Sequence, residues 1–165
     1  MRKILLVTFL SLLAAGCSTA SEPAHQHTTS SDALQNSNMD ESKGDIFQKT
    51  SSADHLPSFV TNKPQAIQDA YKTAGKNISL LQKMPCYCGC GEIGHKSNAD
   101  CFVQQTTSDG IVWNSHATTC NTCMNIALDA AKMQSEGKSE IEIRAYIDST
   151  YSKTGQKPTP TPMIN

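Results

Sequence analysis

The sequence predicts a mainly helical fold: a small three-helix domain with a short β-hairpin and a Cys-rich loop, following a disordered tether. Three observations lead there. Apolar residues recur at three- and four-residue spacing in three stretches beyond position 61. Two short runs, Phe102-Val103-Gln104-Gln105 and Ile111-Val112-Trp113, flank the turn residues Ser108-Asp109-Gly110. Residues 18–60 are rich in Ser, Thr, Asp, Asn and Gln with few large apolar side chains, so they bury too little surface to offset chain entropy.

The elements follow in order. Residues 1–17 read as an address: Arg2 and Lys3 form a positive start, and Ile4 to Ala15 an apolar run too short for a spanning helix. The run ends in Leu13-Ala14-Ala15-Gly16-Cys17, which resembles a bacterial lipobox with its leucine one place early. The expectation is a lipidated Cys17, an extracytoplasmic protein anchored to the cell membrane, and 18–60 as the tether. His25 and His27 in that tether read as a solvated polar pair.

The predicted domain spans 61–157. Asn62 and Gln65 sit at capping positions around Pro64, and Ile67, Ala70, Tyr71, Ala74, Ile78 and Leu81 supply the first apolar stripe, weakened at Gly75 and ended by Pro85. A second helix runs from about Thr118 to Ser135 and stops at Gly137. Ser139-Glu140-Ile141-Glu142 matches a capping box and opens a third, with Ile143, Ile147 and Tyr151 as its seam. The last two helices form an antiparallel hairpin. Residues 158–165, with Pro158-Thr159-Pro160-Thr161-Pro162, read as an extended, unpaired and disordered tail.

Chemistry concentrates in Pro85-Cys86-Tyr87-Cys88-Gly89-Cys90-Gly91. Cysteines this close are poor mutual disulfide partners. Three alternate thiols either converge on a soft ion or reach separately for Cys101, Cys120 and Cys123. With His95 and His116, the candidate metal ligands are Cys86, Cys88, Cys90, His95, Cys101, His116, Cys120 and Cys123, enough for two tetrahedral sites or one polynuclear thiolate cluster. Tetrahedral zinc needs sulfurs about 3.8 Å apart. Alternate residues on a straight strand are about 6.6 Å apart. One ion on all three therefore requires the chain to curl, which Gly89, Gly91 and Gly94 permit. Thiolate-rich sites select Cu(I), Zn(II) or iron–sulfur chemistry, and an exposed lipoprotein is a poor place for an oxygen-sensitive iron–sulfur centre, which leaves Cu(I) or Zn(II).

Two readings compete with metal binding. Cys120-x-x-Cys123 at a helix start also suits thiol–disulfide exchange with a redox membrane protein. Six cysteines in a small exported domain also suit three structural disulfides. His116, Cys120, Cys123 and Met124 share one face if the second helix reaches back to His116. Asp100 reads as solvated, or as a partner orienting His95. A net charge of −1 with mixed signs argues against nucleic acid. No nucleophile elbow, phosphate loop, HExxH or paired-carboxylate constellation marks a hydrolytic enzyme.

The heptapeptide, with Gly94-His95, Cys101-Phe102, Cys120-x-x-Cys123, Glu136-Gly137-Lys138-Ser139 and Ile143-Arg144, resembles the bacterial lipoproteins named for their PCYCGC motif. That resemblance covers most of 61–155 and implies an anchored extracytoplasmic domain; soft-metal binding is an inference beside it. The last two helices are more weakly similar to the thiol-reductase subunit of cytochrome c maturation, although the Pro between that family's cysteines is absent here.

Overall fold

The computed structural model describes residues 44–164, and among them the architecture differs from the three-helix expectation. The elements run β1 (Phe47–Thr50), α1 (Ser58–Thr61), α2 (Gln65–Lys76), α3 (Ile78–Leu81), β2 (Val103–Thr107), β3 (Gly110–Asn114), α4 (Asn121–Ser135) and α5 (Glu140–Tyr151). Five helices and a three-stranded antiparallel sheet, ordered β1-β3-β2, replace three helices and an isolated hairpin. The expected signal and anchor at Cys17, the His25/His27 pair and the first part of the expected tether lie outside the described residues.

The extra strand comes from the segment read as tether. Phe47-Gln48-Lys49-Thr50 is polar, and its backbone groups find partners on β3, from Phe47 opposite Asn114 to Thr50 opposite Ile111. The Trp113 indole N–H donates to Thr50 Oγ1 at 2.7 Å, fixing the register through a buried aromatic. The expected hairpin is present: β2 and β3 flank Ser108 and Asp109, with an irregularity between Val103 and Gln105.

The single first helix is also corrected. The chain breaks at Asn77 (φ −124°, ψ 28°), dividing the stripe between α2 and α3. Asn62 closes α1 instead of capping α2, whose N-cap is Pro64. Gly75 has a packing reason: a β-carbon there would lie 2.5 Å from the Trp113 ring. The later helices match their signals. Ser139 and Glu142 form the reciprocal capping box of α5. Gly137, at φ 81°, ends α4, with Gly137 N–H donating to Gln134 O and Lys138 N–H to Met133 O.

The second helix nevertheless starts later than predicted. A 3₁₀ turn covers His116–Thr119, and Cys120 is extended (φ −122°, ψ 98°) before α4 begins. One continuous face from His116 to Met124 is therefore not formed. Met124 packs against the core.

The core joins both parts. Tyr71 on α2 meets Phe102 at 5.1 Å and Trp113 at 5.9 Å between ring centroids. Its hydroxyl donates to Asn114 O at 2.7 Å, satisfying a buried polar group at the end of β3. α4 packs between α2 and α5, with Cys123, Ile126, Ala127 and Ala130 buried. The tail is extended but, unlike the expectation, paired. Thr159 N–H donates to Cys86 O at 2.9 Å. Cys86 N–H donates to Thr159 Oγ1 at 2.8 Å. Thr161 Oγ1 donates to Lys96 O at 2.6 Å, and Arg144 Nη1 to Pro162 O at 3.0 Å.

Candidate metal centre

The cysteine run curls. A turn after α3 leads to Pro85, and Cys86 is held on both backbone groups by Thr159. Gly89 takes the left-handed conformation at φ 86°, and a 3₁₀ turn follows over Cys90–Ile93. A side chain at 89 would strain this reversal. Gly94, at φ 94°, turns the chain again so that His95 N–H donates to Cys90 O at 3.2 Å. The turn at Ala99–Cys101 then brings Cys101 underneath the run.

Asp100 accepts from the backbone N–H groups of Lys96 at 2.6 Å and Ser97 at 3.3 Å. It shapes the loop carrying His95. Asn98 is fully buried; its backbone N–H donates to Met84 O and its side-chain Nδ2 to Cys123 O at 3.1 Å. Asn98 thus ties the loop to the first turn of α4. Its Oδ1 has no hydrogen-bond partner.

All six described cysteines are free thiols. Cys86 Sγ lies 3.4 Å from Cys88 Sγ and 3.5 Å from Cys123 Sγ, while Cys88 and Cys123 are 3.5 Å apart. Cys90 Sγ lies 3.6 Å from Cys101 Sγ. These spacings far exceed an S–S bond of about 2.05 Å. They fall slightly inside the roughly 3.8 Å edge of a tetrahedral zinc–thiolate site. Cys86, Cys88, Cys101 and Cys123 offer four sulfurs within 4.8 Å of one another. Cys88, Cys90, Cys101 and His116 form a second quartet on the same criterion, and Asp45, His95 and His116 a triplet. The Cys and His groups are thus arranged compatibly with binding a metal ion.

The electrostatics are uneven. Hydrogen bonding with Cys101, then Cys123, pulls the Cys86 thiol down to about 4. Cys88 is also lowered, by Cys101 first and then Cys120 and Cys123. Cys101 is pushed up by its hydrogen bonds to Cys123, Cys86 and Cys88, and by burial. Hydrogen bonding with Cys123 pulls Cys120 down, but Cys88 and burial outweigh it and leave it raised to about 11.

The eight predicted ligands are not equivalent. Cys120 is outside both sulfur-rich quartets; its sulfur accepts from Cys123 N–H at 3.4 Å and caps α4. His95 is buried, with Nδ1 3.5 Å from Cys101 Sγ and Nε2 3.5 Å from Asn114 Nδ2. Burial, followed by the charge of His116, lowers its pKa. His116 meets it edge-on at 4.7 Å between ring centroids. Hydrogen bonding to Cys88 raises the His116 pKa, against burial and together with Asp45. Asp45 Oδ1 stands 3.5 Å from His116 Nδ1. Asp45, Asn98 and Thr159 escaped the sequence reading: Asp45 and Thr159 sit in polar segments, and nothing local marks Asn98 as buried.

A small helical and sheet-bearing domain closed around a free-thiol cluster is the class these features define. A family model described as a protein of unknown function with PCYCGC motif matches residues 6–164, and the chain belongs to that family. No curated protein and no solved structure matches the chain. The weaker likeness to the cytochrome c maturation subunit draws no support from these comparisons.

Proposed function

We propose that this protein binds a soft metal ion, Cu(I) or Zn(II), through Cys86, Cys88, Cys101 and Cys123, and buffers or delivers it outside the cytoplasm from a lipid anchor at Cys17. The observation that carries the metal reading is the four mutually adjacent sulfurs, each a free thiol. Sulfur ligands favour soft or borderline ions, and thiolate is the ligating form. The low pKa values of Cys86 and Cys88 agree with that chemistry. The anchor rests on the sequence Leu13-Ala14-Ala15-Gly16-Cys17 and on the polar stretch after it.

Sulfur packing favours this reading over separate staples. Cys86, Cys88 and Cys123 are mutual neighbours at 3.4–3.5 Å, so no one pairing among them is singled out. Thiol exchange through Cys120-x-x-Cys123 would require a lowered thiol pKa. Cys120 is raised instead, and Cys123 is fully buried, out of reach of a partner's disulfide.

The test is anaerobic purification of the full chain, followed by metal analysis and a free-thiol count. Stoichiometric Cu or Zn that protects the thiols from alkylation is expected. A metal-free protein that takes up neither ion, with its thiols reduced, would sink the proposal. Three disulfides in the native protein would replace it with the staple reading.

A further inference from the structure

The two sulfur-rich quartets are not separate sites. Cys86, Cys88, Cys101 and Cys123 form one; Cys88, Cys90, Cys101 and His116 form the other; Cys88 and Cys101 belong to both. We propose that the centre is binuclear, with two soft ions sharing the edge Cys88–Cys101. Both shared sulfurs would bridge, Cys86 and Cys123 would complete the first ion's shell, and Cys90 and His116 the second's. This rests on the metal-binding reading above and adds the number of ions and the division of labour among ligands.

Three observations support the division. A thiolate sulfur has lone pairs for two ions, whereas the imidazole nitrogen presented to an ion has one, so shared positions should be cysteines, as they are. The terminal sulfurs also group as the two quartets do: Cys86 and Cys123 lie 3.5 Å from each other, while Cys90 lies 3.6 Å from the bridging Cys101. Four tetrahedral positions on each of two ions make eight; two bridging sulfurs fill four of them, and four terminal donors fill the rest. Six residues suffice, which leaves Cys120 to its capping role and His95 to Asn114 and Cys101.

The second ion's histidine has the support expected of a metal ligand. Asp45 Oδ1 lies 3.5 Å from His116 Nδ1, leaving the other ring nitrogen for the ion in a carboxylate–histidine–metal arrangement. Asp45 is a positioning residue here. It is placed by the next residue, because Ile46 N–H donates to Ser115 Oγ at 2.8 Å and Ser115 N–H to Ile46 O at 3.0 Å.

Native mass spectrometry of the reduced, metal-free full chain titrated anaerobically with Zn(II) tests the proposal. Two Zn(II) per chain are expected. Cys90→Ser and His116→Ala should each hold one, whereas the bridging variants Cys88→Ser and Cys101→Ser should weaken both. Asp45→Asn should weaken the second ion by about 10–100-fold and leave the first unchanged, a selectivity that general destabilisation would not produce. Because a buried variant such as Cys101→Ser can fail to fold, X-ray absorption on the two-zinc wild-type protein supplies an independent readout, a zinc–zinc scattering vector. One Zn(II) at saturation, or two without that vector, overturns the binuclear centre while the soft-metal reading stands. No bound Zn(II) overturns this inference, and the soft-metal reading with it if Cu(I) also fails to bind.

Discussion

Cys120 and Cys123 are three residues apart yet serve different ends. Cys123 is fully buried beside Cys86 and Cys88, while Cys120 is half-buried and accepts the Cys123 N–H as the N-cap of α4. Serine is a preferred N-cap residue, so Cys120→Ser should change stability by less than about 1 kcal/mol and leave the metal count intact. Cys123→Ser should lose an ion. Chemical denaturation and metal analysis of the two variants check this contrast; equal loss of metal from both would place Cys120 in the ligand shell. The residue types that gather here were legible in the sequence because sulfur and imidazole stand at short spacing in it. Their allotment was not, since it turns on the extended backbone at Cys120, which separates His116 from the α4 helix face.

At the scale of elements, α2 and β3 meet where Gly75 faces Trp113. Glycine in a helix normally weakens it, and the sequence alone gives only that cost. The packed ring changes the sign of the argument. Gly75→Ala improves helix propensity but pushes a methyl into an indole tied to Thr50, so a net destabilisation of about 1–3 kcal/mol is expected from urea denaturation. Ser139→Ala should cost about 1 kcal/mol through the lost cap of α5 and leave metal binding unchanged. The contrast explains what was readable. The stop at Gly137 and the box at Ser139-Glu142 are local, complete within a few residues, and both appear as predicted. The strand β1 is not local: Phe47-Gln48-Lys49-Thr50 has no strand alternation worth the name, and its order comes from β3, more than 60 residues later. The break at Asn77 is likewise hidden, because the apolar stripe continues across it.

At the scale of the whole described domain, its first and last segments converge on the middle. Asp45 reaches His116 from one side, and Thr159 and Thr161 hold the cysteine loop from the other. Arg144 links α5 to the segment before the cysteine loop and to the last segment, donating to Lys83 O at 3.1 Å and to Pro162 O at 3.0 Å while its Nε contacts both Asp148 oxygens. Thr159→Val keeps the shape but strips the buried Cys86 N–H of its acceptor, which should cost about 1–3 kcal/mol. Amide exchange should rise at Cys86. Unchanged stability and exchange would mean that the strap is incidental to the loop. A proline-rich terminus reads as unstructured because it cannot donate through its prolines. Here the alternating threonines supply the missing donors, a pattern visible in the sequence but meaningful only once Cys86 and Lys96 lie alongside.

That strap sets an order of events. Polypeptides are made from the amino end, so all seven cysteines are synthesised more than thirty residues before Thr159 exists. Until Thr159 arrives, Cys86 lacks the partner that fixes its backbone. The cysteine loop is therefore clasped only after its thiols are all in place, and Thr159 and Thr161 are the clasp.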